Sequence, residues 1–234
     1  MSTPPTVHDE VVTFCRDLIR FDTSNFGPDG AAGEREATEY VAAQLDEVGI
    51  SSTILESAPR RANLVAHWEP EGCDRSLPPL LIHGHTDVVP AVAADWQVDP
   101  FAGEIRDGYL WGRGAVDMKD FDAIILAPIR ERVRSGRATR RPIRLVFTAD
   151  EEAGGRFGSG WLGAHHPDLV ADCSEAIGEV GGFSLTLNQR RLYLIQTAEK
   201  GIAWLNLIAG GTAGHGSMRN SDNPVTNLAE AVAR

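Results

Sequence analysis

Several short stretches of this chain carry residues able to do chemistry together. The run Leu80 to Pro90 opens as an apolar segment behind Pro78 and Pro79, then places His83, His85 and Asp87 in quick succession. Such an apolar run suits a strand in a sheet covered on both faces, and open α/β folds bind their ligands where strands leave the sheet at its carboxyl edge. A neutral imidazole is a good ligand for Zn²⁺, and a metal-bound histidine usually hands its other ring N–H to an orienting carboxylate. Asp87 is placed to be that carboxylate. Taken alone, a histidine such as His85 at a strand end is more often a hydrogen-bonded structural residue than a ligand.

Three further stretches add carboxylates. The glycine-rich turn Gly112-Arg113-Gly114 leads to Asp117, Lys119 and Asp120; the strand-like Ile143–Thr148 ends in Asp150, Glu151 and Glu152; and Ala176-Ile177-Gly178 ends in Glu179. Strands ending in His/Asp, Asp/Glu/Glu and Glu put these groups at one sheet edge. So many carboxylates cannot be buried together without cations, and divalent metals supply them.

The elements that must position these residues are legible as periodic patterns. Helices are expected over Glu10–Phe21, with apolar residues at Val11, Phe14, Cys15, Leu18 and Ile19, over about 33–48, capped by Gly49, and over 121–134, where Pro128 should introduce a kink. Strands are expected at 52–55, 63–68, in the short apolar run opening at Leu80, and at 143–148, 176–178, 192–196 and 202–208. The passage 91–113 reads as a long irregular loop, and loops of that length tend to be functional. Asn223-Pro224 offers a cap and first turn for a last helix.

The chain's 234 residues, 42% of them hydrophobic, can bury a real core. Its net charge of −11, with no basic patch, argues against nucleic acid. Lysine occurs only at 119 and 200 among 22 basic residues, which reads as the signature of a GC-rich genome. The three cysteines show no paired spacing, so neither a disulfide framework nor a thiolate metal site is expected. With no apolar signal segment and no membrane-length run, a cytoplasmic enzyme is the expectation.

The motifs HGHTDVVP, GRGAVDMKD, TADEEAGG and GEVGG, in that order, resemble the co-catalytic zinc family of aminoacylases, acetylornithine deacetylases, succinyl-diaminopimelate desuccinylases and glutamate carboxypeptidases. The resemblance implies an α/β fold: a three-layer αβα catalytic domain with a mostly parallel sheet over 1–198, then the start of a small α+β lid or dimerisation domain over 199–234. It implies two Zn²⁺ ions, replaceable by Co²⁺ or Mn²⁺. His85 and Glu179 would bind the first ion, Glu152 the second, and Asp117 both, often beside a cis peptide. Asp87 would support His85. Glu151 would be the general base for a metal-bridging hydroxide, and His215, in a Gly210–Ser217 segment, would stabilise the oxyanion across a homodimer. The substrate would be a small peptide or N-acyl amino acid.

The family continues beyond the point where this chain stops inside a helix, so the chain is expected to be a fragment lacking the second zinc's histidine. The alternatives are a non-catalytic scaffold of the same fold and, from the G-x-G-x-x-G pattern at 158–163, a dinucleotide enzyme, disfavoured because no strand directly precedes the pattern. For His83 a structural hydrogen bond is expected. His165 and His166 should end an exposed helix. Lys119 could orient the metal loop or form a surface salt bridge.

Overall fold

The computed structural model describes residues 5–27, 30–179, 184–195, 198, 201, 203 and 205–234. It divides into two compact units, Met1–Val180 and Gly181–Arg234.

The first unit is built on a five-stranded sheet: β1 (Ser52–Ala58), β2 (Arg61–Trp68), β3 (Leu80–His85), β6 (Ile143–Thr148) and β7 (Glu175–Ile177), in the order β1-β2-β6-β3-β7. β3 runs parallel to β6 and to β7, while β2 runs antiparallel to both β1 and β6, so only β2 opposes the common direction. The expected mostly parallel sheet is present. Strand alternation splits its side chains between two cores. Leu64, Ala66, Trp68, Ile143, Leu145 and Phe147 join the helices α1 (Val7–Ile19), α2 (Arg35–Asp46) and α3 (Lys119–Arg134) in the main core. Val65 and Val146 face the opposite way, toward Leu162 of α4 (Ser159–His165). Helices on both faces make three layers.

Local chemistry explains the boundaries. α1 begins earlier than its apolar periodicity suggests because Thr6 and Asp9 close a capping box: the Asp9 N–H donates to Thr6 Oγ1 at 3.2 Å and the Thr6 N–H to Asp9 Oδ2 at 3.0 Å. α3 runs through Pro128 as one helix. The carbonyl deprived of its i+4 donor belongs to Ile124, which is exposed, although it was expected to share an apolar stripe with Ile125, Ala127 and Ile129; those three are buried, together with Ala123 and Leu126.

Two hairpins depart from the expected reading. Within 91–113, read as irregular, β4 (Glu104–Arg106) pairs with β5 (Tyr109–Trp111). The Asp107-Gly108 turn has φ of 55° and 81°, the left-handed pair that Asp-Gly readily supplies in two-residue hairpins. In the second unit β8 (Ser184–Leu187) pairs with β9 (Arg190–Tyr193) across Asn188-Gln189, also both at positive φ. The expected strand at 192–196 therefore sits mostly upstream of its predicted place, and Gln196 lies outside the described residues. No strand forms over 205–208, where one was expected to run from Ile202; Ile202 and Trp204 lie outside the described residues. Alternating apolar residues do not make a strand without a ladder partner. α5 (Pro224–Ala233) starts as expected, with Asn223 Oδ1 accepting the Val225 N–H at 2.9 Å. Among the described residues no helix is long and apolar enough to cross a membrane.

Candidate metal centre

β3 delivers His85 to the carboxyl edge of the sheet, beside the end of β6 at the matched position Thr148. The glycine before it is required by packing: a Cβ on Gly84 would collide with the carboxylate of Asp122 on α3. His85 is fully buried. Its Nδ1 lies 3.0 Å from the Asp87 carbonyl oxygen and 3.5 Å from Asp87 Oδ1. Its Nε2 faces a ring of carboxylates: Asp117 Oδ1 at 3.2 Å, Glu151 Oε2 at 3.6 Å and Glu179 Oε2 at 3.7 Å. Ligand-type atoms of His85, Asp117 and Glu179 all lie within 4.8 Å of one another.

These residues come from a strand end, a glycine turn and the segment after β7. Asp117 precedes a cis peptide to Met118, as the family resemblance implies. The turn is anchored by Lys119, which is fully buried and donates through Nζ to the carbonyls of Leu18 and Phe21 at 2.9 and 2.8 Å. A surface salt bridge is thereby replaced by a buried tie between the turn and the end of α1. Burial pushes its ammonium pKa down to about 8.

The electrostatics call for positive charge at Nε2. Burial opposes a charged His85 ring, yet the hydrogen bond and charge of Asp87, with Asp122 and Glu151 nearby, push its pKa up to about 10. Burial and the adjacent Asp117 raise Glu179 to about 7, and the same two causes raise Glu152. Burial also opposes ionisation of Asp87, but hydrogen bonds from His85, Asn25 and the Glu151 N–H hold it below the usual carboxylate range. Nε2 of His85 is buried without a hydrogen-bond partner among the described residues. An imidazole nitrogen so placed, with carboxylates converging on it, is a donor set that fits a divalent cation.

Not every expected residue joins this cluster. Glu152 Oε1 accepts the Val89 N–H at 3.2 Å, and Glu152 lies outside the three-residue ligand group. Asp150, expected beside the other acids at the edge, is buried and turned away: it sits in the left-handed region at φ 67° and accepts from Asn25, Arg61 and the Phe157 N–H. His215 belongs to the second unit, where its exposed ring meets Ser217 Oγ at 2.8 Å. His83 is structural as expected, its Nε2 2.9 Å from Thr148 Oγ1, and burial lowers its pKa to about 4.

The supports of Asp87 carry no motif in the sequence. Asn25, in the polar turn-forming stretch Asp22–Asn25, donates to Asp87 Oδ2 at 2.8 Å and to Asp150 Oδ1 at 3.0 Å. Arg61 Nη2 reaches Asp150 Oδ1 at 2.9 Å and the fully buried Glu34 at 3.0 Å. One guanidinium thus serves two buried carboxylates, and burial raises Glu34 to about 7 despite it. The folded protein therefore keeps a proton on Glu34 up to about pH 7 that the unfolded chain releases near the ordinary glutamate value of 4.5. Stability from this group is full below 4.5 and falls as pH rises through 7. Glu34→Gln is expected to flatten that fall in urea titrations between pH 5 and 8, by an amount on the order of 2–3 kcal/mol; an unchanged slope would show that Glu34 is ionised throughout.

Comparison with known proteins joins this geometry to a family. The model for peptidase family M20/M25/M40 matches residues 81–233, which include β3, the glycine turn, the acidic end of β6 and the helix α5. The chain belongs to this family. Among its relatives, succinyl-diaminopimelate desuccinylase of Gluconacetobacter diazotrophicus is 33% identical over 93% of this chain and 54% of its own length. N-fatty-acyl-amino acid synthase/hydrolase of Xenopus tropicalis is 30% identical over 96% of this chain and 44% of its own. The fold is similar to that of human carnosine dipeptidase 1, with a TM-score of 0.62 at 18% identity over 73% of this chain and 38% of that one. The chain spans about half the length of the curated relatives it matches.

Proposed function

We propose that this chain carries the first metal site of a hydrolase that cleaves the amide bond of an N-acyl amino acid or small peptide. His85, Asp117 and Glu179 would hold a divalent ion, zinc in our reading, and Asp117 with Glu152 would contribute to a second. The observation that carries this is the convergence of three ligand-type groups within 4.8 Å around a buried imidazole nitrogen that makes no hydrogen bond among the described residues. A zinc ion held there would supply Lewis acidity and would lower the pKa of its water to about 7.

The chain's own residues supply the rest. Asp87 holds the Nδ1 side of His85, so that Nε2 points at the carboxylates. Glu151 lies 3.6 Å from that nitrogen, half-exposed, where it can take a proton from attacking water and return it to the departing amine. His215 would donate to the oxyanion, and the protein would act in the cytoplasm as a homodimer; the motif around residue 215 and the family resemblance support these parts. The named activities of relatives, a desuccinylase and an acyl-amino acid hydrolase, support the substrate class.

The test is hydrolysis of a panel of N-acyl amino acids and dipeptides before and after chelation. Turnover should vanish with the metal and return with Zn²⁺, Co²⁺ or Mn²⁺. Turnover indifferent to chelation would refute the proposal.

A further inference from the structure

The contacts behind Asp87 form a buried series that ends at Arg61. Arg61 Nη2 donates to Asp150 Oδ1 at 2.9 Å; Asn25 Nδ2 donates to that same oxygen at 3.0 Å and to Asp87 Oδ2 at 2.8 Å; Asp87 in turn holds His85. All five residues are buried. The remaining Asp87 contacts are the backbone N–H groups of Glu151 at 3.0 Å and Glu152 at 3.2 Å. The carboxylate that orients the imidazole is therefore also the anchor of the acidic turn.

Asn25 is itself held from both sides. Its N–H donates to the Val88 carbonyl at 2.9 Å, its Oδ1 accepts the Gly27 N–H at 3.0 Å, and Thr23 Oγ1 donates to the Thr86 carbonyl at 2.6 Å. Residues 23–27 are thus stapled along the 86–88 turn, and the Asn25 amide has one donor for each of two carboxylates. Left together without a donor between them, Asp87 and Asp150 would repel inside a poorly screened interior. Arg61 adds the balancing charge at the same Asp150 oxygen, with Phe157 under its guanidinium at 5.4 Å.

We propose that Asn25 and Arg61 are positioning residues for the metal site: Arg61 fixes Asp150, Asp150 fixes the Asn25 amide, and Asn25 fixes the Asp87 carboxylate that aims His85. This rests on the metal-site reading above. The partner of a metal-bound histidine, the place Asp87 holds here, typically changes metal affinity 10–100-fold when replaced, and Asn25 and Arg61 act through it.

The experiment is titration of the metal-free chain with Co²⁺ in competition with a chelating dye, following the visible absorption of bound Co²⁺, beside urea unfolding of each metal-free variant. Asn25→Ala should weaken Co²⁺ binding about 10–100-fold and alter the absorption of the ion that still binds. Arg61→Met should weaken it about 10-fold, and the double variant should be no worse than the weaker single one, because the two residues act in series. Should Arg61→Met fail to fold, Arg61→Lys keeps a cation without the planar fork and should still cost at least about threefold. Wild-type affinity and absorption in Asn25→Ala, or in whichever Arg61 variant folds, would overturn the proposal even if urea stability had dropped; so would losses that multiply in the double variant. If the unaltered chain takes up no Co²⁺, or takes it up equally in His85→Ala, the metal-site reading itself has failed.

Discussion

His85→Ala is expected to weaken binding of the first divalent ion by at least about 100-fold, or roughly 2.7 kcal/mol. The reasons are the ring's singular position and the nature of what is left. Among the described residues His85 is the one imidazole in the ligand group, and removing it leaves two carboxylates, Asp117 with its side chain 58% exposed and Glu179 with its side chain 35% exposed, to hold the ion alone. A pair of exposed carboxylates is a weak and unselective zinc site, whereas nitrogen donors are what zinc favours. The variant also loses the buried contact with Asp87, so its metal-free fold should be measured first, by urea unfolding. Isothermal titration of the folded fraction with Zn²⁺ then decides. Affinity within about threefold of the parent chain would place the ion elsewhere.

Glu151→Gln separates binding from chemistry. The amide has the carboxylate's shape without its basicity, and Glu151 stands outside the three-residue ligand group while lying within 3.6 Å of the same nitrogen. Metal affinity should change by no more than about threefold, while hydrolysis of the best N-acyl amino acid should fall about 10²–10⁴-fold, the usual contribution of a positioned general base. In barrier terms that is about 3 to 5 kcal/mol. Parallel loss of metal and rate would make Glu151 a ligand instead; undiminished hydrolysis would remove it from the mechanism.

Much of this centre was legible in the sequence because its parts sit at chain positions with strong local signatures. An apolar run ending in His85 and Asp87 can hardly be anything but a strand leaving a sheet, and Gly112–Gly114 announces a turn. The residues that went unread are of a different kind. Asn25 lies in a polar stretch that any surface turn could contain, and Arg61 opens a strand after a Pro-Arg turn, where a charge is usually solvated. Their meaning depends on partners 62 to 125 positions away, at Asp87 and Asp150. The hairpin at 104–111 was missed for another reason: its Asp-Gly signal was present but lies between strands of three residues, too short for alternation to register.

What the amino-acid order determined unaided is the set of elements and the chemical types at their ends, since periodicity, caps and turn residues act over a few positions. Tertiary structure decided which acids face the imidazole and which turn away. Glu151 and Asp150 are neighbours in the chain, yet the left-handed backbone at Asp150 sends one side chain toward His85 and the other into a buried pairing with Arg61. Charges separated from water must find partners through space, and the chain's order says nothing of which partner lies nearest until the sheet has formed.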